Sequence, residues 1–337
     1  MLRPFLLAWS FVAIVCLGSG LTAQDPAADF EGKMKDADAL MAGRQFEDAL
    51  RIYKAANSLQ DKKSARAQLG MARAYQGLGA HKSAADVCSD ALKYVGNDKA
   101  TEATARNLRG ISTFALGDKA DDKRWKLAEE DFRAVLSLTE AYPVAQYNLG
   151  VTLIKQNRDE EGIAELKAFM DEAGRMPEAV TAKTYIENPR RARENFAPDF
   201  SFATLNGEFL TSENLKGKVV LLDFWATWCT PCLAATPGLK KIQQKFKDDP
   251  FVIVGVSADR DQAPWRAFVE EHKLPWAQFY DERRMMASRF KVNAYPTYIL
   301  MDHEGIMQYR QQGWNPRVDG EIEAEARKLV KKAKALQ

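Results

Sequence analysis

A chain of 337 residues with 46% apolar and 28% charged side chains is long enough for two folded domains and has the balance of a soluble protein, which excludes disordered and collagen-like classes. Its 48 basic and 46 acidic residues leave a formal charge of +2; so weak a field recruits neither nucleic acid nor an anionic membrane, and partners must be recognised by shape and local chemistry. Four cysteines and three histidines are too scattered for a disulfide scaffold or a metal centre: His81, His272 and His303 lie far apart, Cys16 and Cys88 stand alone, and only Cys229 and Cys232 form a pair.

Met1, Leu2 and Arg3 precede an apolar run from about Phe5 to Leu17 and a small-residue stretch from Gly18 to Ala23. That order is the n-region, h-region and cleavage zone of a secretory signal peptide, which assigns residues 1–23 to a leader and the mature chain to the periplasm or the secreted space. Two alternatives stay open. Residues 4–21 approach the roughly 20 that a spanning helix needs and would make an uncleaved envelope anchor; a lipid-modified Cys16 is the other, and Val15 is a large neighbour for it.

From about Asp29 to Ala173 the chain is rich in Ala, Leu, Lys, Glu and Gln, contains one proline, Pro143, and lacks strand-like alternation. This predicts an all-helical domain over 24–174. An apolar register recurs at Phe46, Ala49, Tyr53, Ala56, at His81, Ala84, Cys88, Ala91, at Trp125, Ala128, Phe132, Val135 and, weaker, at Asp159, Gly162, Leu166, Phe169. Its small members Ala49, Ala84, Ala128 and Gly162 are 35, 44 and 34 positions apart. The stretch therefore resembles a tetratricopeptide array, whose period is about 34. Tyr75 and Leu149-Gly150 match the preceding helix of that motif, Gly79 and Gly117 match its turn, and about ten extra residues are placed before Leu108 and in Asp118–Lys123. An irregular bundle with coincidental spacing is the alternative. In such arrays helix pairs must stack to bury their apolar faces, leaving a concave surface suited to peptides or proteins. Cys88 falls on the core register and is expected to be a buried, inert thiol.

Residues 175–197 read as a linker with one helix near Val180–Tyr185, and the basic run Arg190 to Arg193 as a solvated face. Beyond it, residues 198–337 switch to short β-branched and aromatic runs. Asn206-Gly207 predicts a hairpin turn between Phe202 and Phe209, Lys218–Phe224 and Phe251–Val256 predict buried strands, and a helix from Cys229 to about Phe246 joins the two. The cysteine pair thus sits where a helix begins.

The run Val219 to Cys232, with Trp225, Trp228 and Cys229-Thr-Pro-Cys232, looks like the active site of thioredoxin-like proteins of the extracytoplasmic TlpA/ResA type. Ala197-Pro-Asp-Phe200, Lys216-Gly-Lys218, Val254-Gly-Val-Ser257, Tyr295-Pro-Thr297 and Asp302-His-Glu-Gly305 follow in that family's order. The resemblance implies a multidomain chain, an all-α tetratricopeptide-like array followed by an α/β thioredoxin fold, acting as a thiol:disulfide oxidoreductase. A bare C-x-x-C also fits zinc, but no second pair or histidine lies nearby.

A cysteine at a helix start faces unsatisfied amides and the positive dipole end, so Cys229 is the expected nucleophile and Cys232, one turn in, the resolving thiol. Asp223 matches the family's buried carboxylate that moves the resolving cysteine's proton, and burial should raise its pKa. Pro296 matches the cis-proline that leaves the Tyr295 backbone open to an extended peptide; Tyr295, Pro296 and Trp228 are therefore the expected substrate contacts, and Pro237 the proline within the active-site helix. Many relatives carry a glutamate where this chain has Ala235, which leaves Asp223 to take over the proton transfer.

No nicotinamide or flavin fingerprint is present, so no cofactor is expected. Electrons would pass to or from a separate membrane or soluble dithiol protein, and the substrates would be disulfide- or dithiol-containing envelope proteins, cytochrome c-maturation cysteines among the candidates that the resemblance implies. Two rivals remain: a binding scaffold in which the redox domain is an auxiliary switch, and a peroxiredoxin, whose peroxide-reactive motif is missing.

Overall fold

The computed structural model describes residues 26–120, 122–139 and 141–336. The expected leader, anchor and lipidation readings lie outside them. The chain divides into two compact units, Met1–Glu187 and Asn188–Gln337. No helix among the described residues is long and apolar enough to cross a membrane.

Among its described residues the first unit is built of helices: α1 (Pro26–Ala42), α2 (Phe46–Ser58), α3 (Ala65–Gly77), α4 (His81–Ala91), α5 (Lys99–Leu116), α6 (Lys123–Leu138), α7 (Pro143–Lys155), α8 (Asp159–Ala173) and α9 (Glu178–Glu187). Each helix packs against the next in sequence. The recurrent register falls on α2, α4, α6 and α8, and its buried members, such as Ala49, Tyr53, Ala84, Cys88, Ala128, Phe132, Gly162 and Leu166, turn inward. Close approach explains the small residues. A Cβ on Gly110 of α5 would stand 2.7 Å from the Phe132 ring, and one on Gly150 of α7 would stand 2.8 Å from Leu166.

The extra residues of the long interval lie mainly in α5, which is 18 residues long against 13 for α3 and α7, and in the connection 117–122 before α6, twice the length of those after α3 and α7, as expected. Inside this stack Arg109 grips the buried Asp131 through two hydrogen bonds of 2.8 and 2.7 Å. Cys88 is fully buried and unpaired, and burial pushes its thiol up to about 12, so it is a poor nucleophile.

The second unit contains α10 (Arg190–Arg193), β1 (Ser201–Ala203), β2 (Phe209–Thr211), β3 (Val219–Trp225), α11 (Thr230–Lys245), β4 (Phe251–Ser257), α12 (Gln262–Glu271), β5 (Ala277–Tyr280), α13 (Met285–Arg289), β6 (Thr297–Met301), β7 (Met307–Gln312) and α14 (Val318–Lys334). Strands β1 and β2 form the expected hairpin, with Gly207 at a φ of +81° that only glycine adopts without strain. The main sheet runs β5-β4-β3-β6-β7, with β3, β4 and β5 parallel and β6 and β7 antiparallel to their neighbours.

Central strand β3 is buried at every residue because both its faces are covered. Val219 and Leu221 meet α11 and α14 through Leu239, Ile242, Ile322 and Ala326. Val220, Leu222 and Phe224 meet the hairpin and α13 through Phe202, Leu210 and Phe290. A strand covered on both sides reads as a continuous apolar run, which is why it was legible in the sequence.

The stretch expected as a linker is ordered, in two parts. Helix α9 packs on α8 in the first unit. Residues from Asn188 belong to the second: Phe196 bridges Ile306, and Met307 N–H donates to Asn195 at 2.9 Å. The basic run is correspondingly not a purely solvated face. Arg190 pairs with Glu194 and Glu304, and Arg191 with Asp199 at 2.9 Å.

Candidate active site

Strand β3 ends at Trp225, and the turn Ala226-Thr227-Trp228 delivers Cys229 to the head of α11. Cys229 is the N-cap residue: its backbone is extended, its Sγ accepts from the Cys232 N–H at 3.3 Å, and Pro231 occupies the first turn. There a missing amide hydrogen costs nothing. Cys229 and Cys232 are joined as a disulfide with Cα atoms 5.2 Å apart. In this oxidised form the two are covered alike, 5% and 4% exposed, so exposure does not tell nucleophile from resolving thiol. The Cys229 sulfur, which caps the helix, stands where amide donors would favour a thiolate.

The turn is pinned from below by a residue that the sequence reading missed. Asp259, just past β4 and buried, accepts the Thr227 N–H at 3.1 Å and the Thr227 hydroxyl at 2.6 Å, and takes the Ser257 hydroxyl at 2.7 Å. Charge-assisted bonds of this kind are about twice as strong as neutral ones. The signal, an acid following Val254-Gly-Val-Ser257, carries no sign of its partner 32 residues earlier.

Asp223 lies on β3 two residues before Trp225, on the face covered by α11, since its register partner is Tyr298, whose ring belongs to the α11 and α14 core. It is buried, and burial alone pushes its carboxyl up to about 7. Such a group exchanges protons near neutral pH. Trp225 is buried among Cys229, Cys232 and Trp265, and its indole donates to Gln278 Oε1 at 3.2 Å.

The expected substrate contacts differ in exposure: Trp228 is exposed, Tyr295 half-buried and Pro296 buried. Trp228 is 60% exposed and meets the Tyr295 ring edge-on at 5.8 Å. The Tyr295–Pro296 peptide bond is cis. Arg284, absent from the sequence reading, donates to the Tyr295 hydroxyl at 2.8 Å and lies over its ring. A hollow of about 430 Å³ beside Trp228 is lined by Thr227, Asp259, Arg260, Asp261 and Pro264. The larger hollow of about 500 Å³, between Phe200 and Met285, contains none of the expected site residues. Ala235 is fully buried in the core under α11, and Pro237 lies inside that helix.

Residues 192–327 match the Redoxin family model. Thioredoxin-like protein YneN of Bacillus subtilis (strain 168) is 38% identical over 114 residues, 33% of this chain and 66% of that protein. A thiol-disulfide oxidoreductase ResA of Bacillus cereus is 31% identical over 109 residues, 32% of this chain and 63% of that protein. The chain thus spans a little under two thirds of these curated relatives' length. Among solved structures, the thioredoxin domain of a thiol-disulfide oxidoreductase from Bacteroides vulgatus is 30% identical, with 41% of this chain and 97% of that one covered at a TM-score of 0.37.

Proposed function

We propose that this chain, whose C-terminal unit is a TlpA/ResA-type thioredoxin-like domain, is an extracytoplasmic thiol:disulfide oxidoreductase acting on protein substrates through Cys229 and Cys232. The observation that carries the reading is a capped dithiol at the head of α11 together with a buried carboxyl poised near neutrality on the strand that leads into it.

In the reducing direction the Cys229 thiolate attacks a partner disulfide, forms a mixed disulfide and releases one partner thiolate. Cys232 then gives its proton to Asp223 and attacks the Cys229 sulfur. The partner leaves as a dithiol carrying two electrons, and the protein is left as the Cys229–Cys232 disulfide. A second dithiol protein restores the reduced pair; run backwards, the same steps oxidise a substrate. Trp228, Tyr295 and Pro296 would receive the partner's extended backbone. The helical unit, with its stacked pairs, would select the partner, and the boundary between the two is drawn between Glu187 and Asn188. The apolar leader supports action outside the cytoplasm.

Trapping tests the assignment. Cys232→Ser should accumulate mixed disulfides on Cys229, and Cys229→Ser should abolish reduction of insulin disulfides; adducts found on the remaining Cys232 would reverse the two roles. The reduction potential of the pair fixes direction, a value near −270 mV marking a reductant and one near −120 mV an oxidant.

A further inference from the structure

We propose that Gln278 is a positioning residue of the dithiol site, its amide seated on Gly255 and oriented by Trp225 so that its N–H donor supports the ionised form of Asp223. The proposal rests on the reading of Asp223 as the acceptor of the Cys232 proton.

Register places four residues in one row across the sheet: Tyr298 on β6 opposite Asp223 on β3, Asp223 opposite Gly255 on β4, and Gly255 opposite Gln278 on β5. Register partners share a face. Gly255 is what lets the row communicate. A Cβ there would stand 2.4 Å from Gln278 Oε1 and 2.8 Å from its Nε2, so the glutamine lies across β4 in the space that any larger residue would fill, and its oxygen reaches the Trp225 indole on β3.

That contact also fixes the amide's orientation. An indole N–H only donates, so the oxygen must face Trp225 and the NH₂ group must face elsewhere. Gln278 is 3% exposed, and its Nε2 has no hydrogen-bond partner. An unsatisfied buried donor is rare in native proteins and calls for an acceptor. Neighbouring strands lie roughly 4.8 Å apart, and the amide nitrogen over Gly255 makes no direct bond, so the link to the Asp223 carboxylate in the same row would run through a single bridging water.

The other titratable or charged groups facing this row are Cys229 and Cys232 from α11, Tyr298 from β6, Asp319 from α14 and Asp259 beyond the end of β4. None brings a positive charge. The Tyr298 hydroxyl is also buried without a partner, but it feels Asp319 as well as Asp223. The glutamine amide is the donor whose geometry an independent contact holds. A hydrogen bond to the carboxylate favours the charged form and lowers its pKa, so Gln278 would hold the acid within working range against a burial that pushes it up.

The experiment is a carboxyl-carbon NMR titration of Asp223 in the full chain, with the exchange rate measured over the same pH range. Gln278→Met keeps an unbranched side chain of similar size and removes the donor; the Asp223 midpoint should rise by about one pH unit, tenfold in proton affinity. Gln278→Glu keeps an oxygen for Trp225 and also lacks the donor, and Gly255→Ala displaces the amide; both should move the midpoint the same way. A midpoint unchanged or lowered in the variants that fold, with only thermal stability reduced, overturns the proposal and leaves Gln278 a space-filling residue. A raised midpoint with an unaltered rate profile would instead uphold Gln278 and remove Asp223 as the base.

Discussion

Replacing Asp223 by asparagine should make the second unit more stable at alkaline pH while slowing its chemistry. The folded carboxyl titrates near 7, displaced upward by burial alone, whereas an unfolded aspartate titrates near 3.9. A raised acid stabilises the fold most below the unfolded pKa and loses that contribution as pH rises through the folded one. Above pH 7 the native state must either hold a buried charge or unfold, and the span between the two pKa values corresponds to about 4 kcal/mol, an upper figure that hydration of the site would reduce. Asparagine has no such charge and nearly the same shape. Guanidinium unfolding of the oxidised protein, followed by the fluorescence of its buried tryptophans, should give wild type and Asp223→Asn similar midpoints below pH 4. A gap favouring the variant should open between pH 4 and 7 and level off above that. Exchange near pH 7 should fall at the same time, because the acceptor for the Cys232 proton is gone. Parallel stability curves across this range would refute a carboxyl that changes charge near neutrality, and unchanged rates from pH 6 to 8 would remove its catalytic part.

Asp259→Ala strips the turn of its acceptors for the Thr227 amide and hydroxyl and should cost about 2–4 kcal/mol in unfolding experiments, with insulin reduction slowed even where the protein remains folded. Gly150→Val forces a side chain into Leu166 and the Gly162 carbonyl and should destabilise the helical unit by about 1–3 kcal/mol; insulin reduction by the same variant should be unaffected below that unit's melting point. A fragment beginning at residue 188 should reduce a generic disulfide nearly as well as the full chain but turn over a trapped native partner less well, since tethering by the repeats is lost. Equal losses on both substrates would mean that the helices serve stability alone. A fragment beginning at 198, which lacks the Asn195 and Phe196 contacts with Met307 and Ile306, should melt at a lower temperature.

What the sequence disclosed and what it hid follow from the range of the interactions. The dithiol, the strand before it and the helix after it are one continuous segment, so hydrophobic run, N-cap chemistry and motif spacing all speak within fifteen or so positions. The helical register was legible for the same reason, since the alanines and glycines that permit close approach repeat along one chain direction. The residues that shape the site from outside that segment were not legible. Asp259 is read as an ordinary loop acid until β4 is laid beside β3, and Arg284 only becomes a rim residue when Tyr295 comes back beside it. The stretch 188–197 looked like a linker because its apolar content is low, yet its order comes from ion pairs and one β-bridge to a turn more than a hundred positions later.

Gln278 shows why such positions escape pattern reading. A glutamine in Trp276-Ala-Gln-Phe279 carries no chemical signature, and a glycine in Val254-Gly-Val256 usually marks a bulge or a close backbone approach. Each acquires meaning only through the other: Gly255 lacks a side chain so that Gln278 can occupy that volume, and Gln278 is buried so that a donor stands in the row of Asp223. Because that dependence is pairwise and crosses three strands, the two positions should not tolerate change independently. Enlarging Gly255 evicts the amide, whereas with the glutamine already shortened the same enlargement meets little resistance. The coupling between the two substitutions, measured on the Asp223 midpoint in a double-mutant cycle, is therefore the quantity in which the sheet's register and the site's proton chemistry become one measurement.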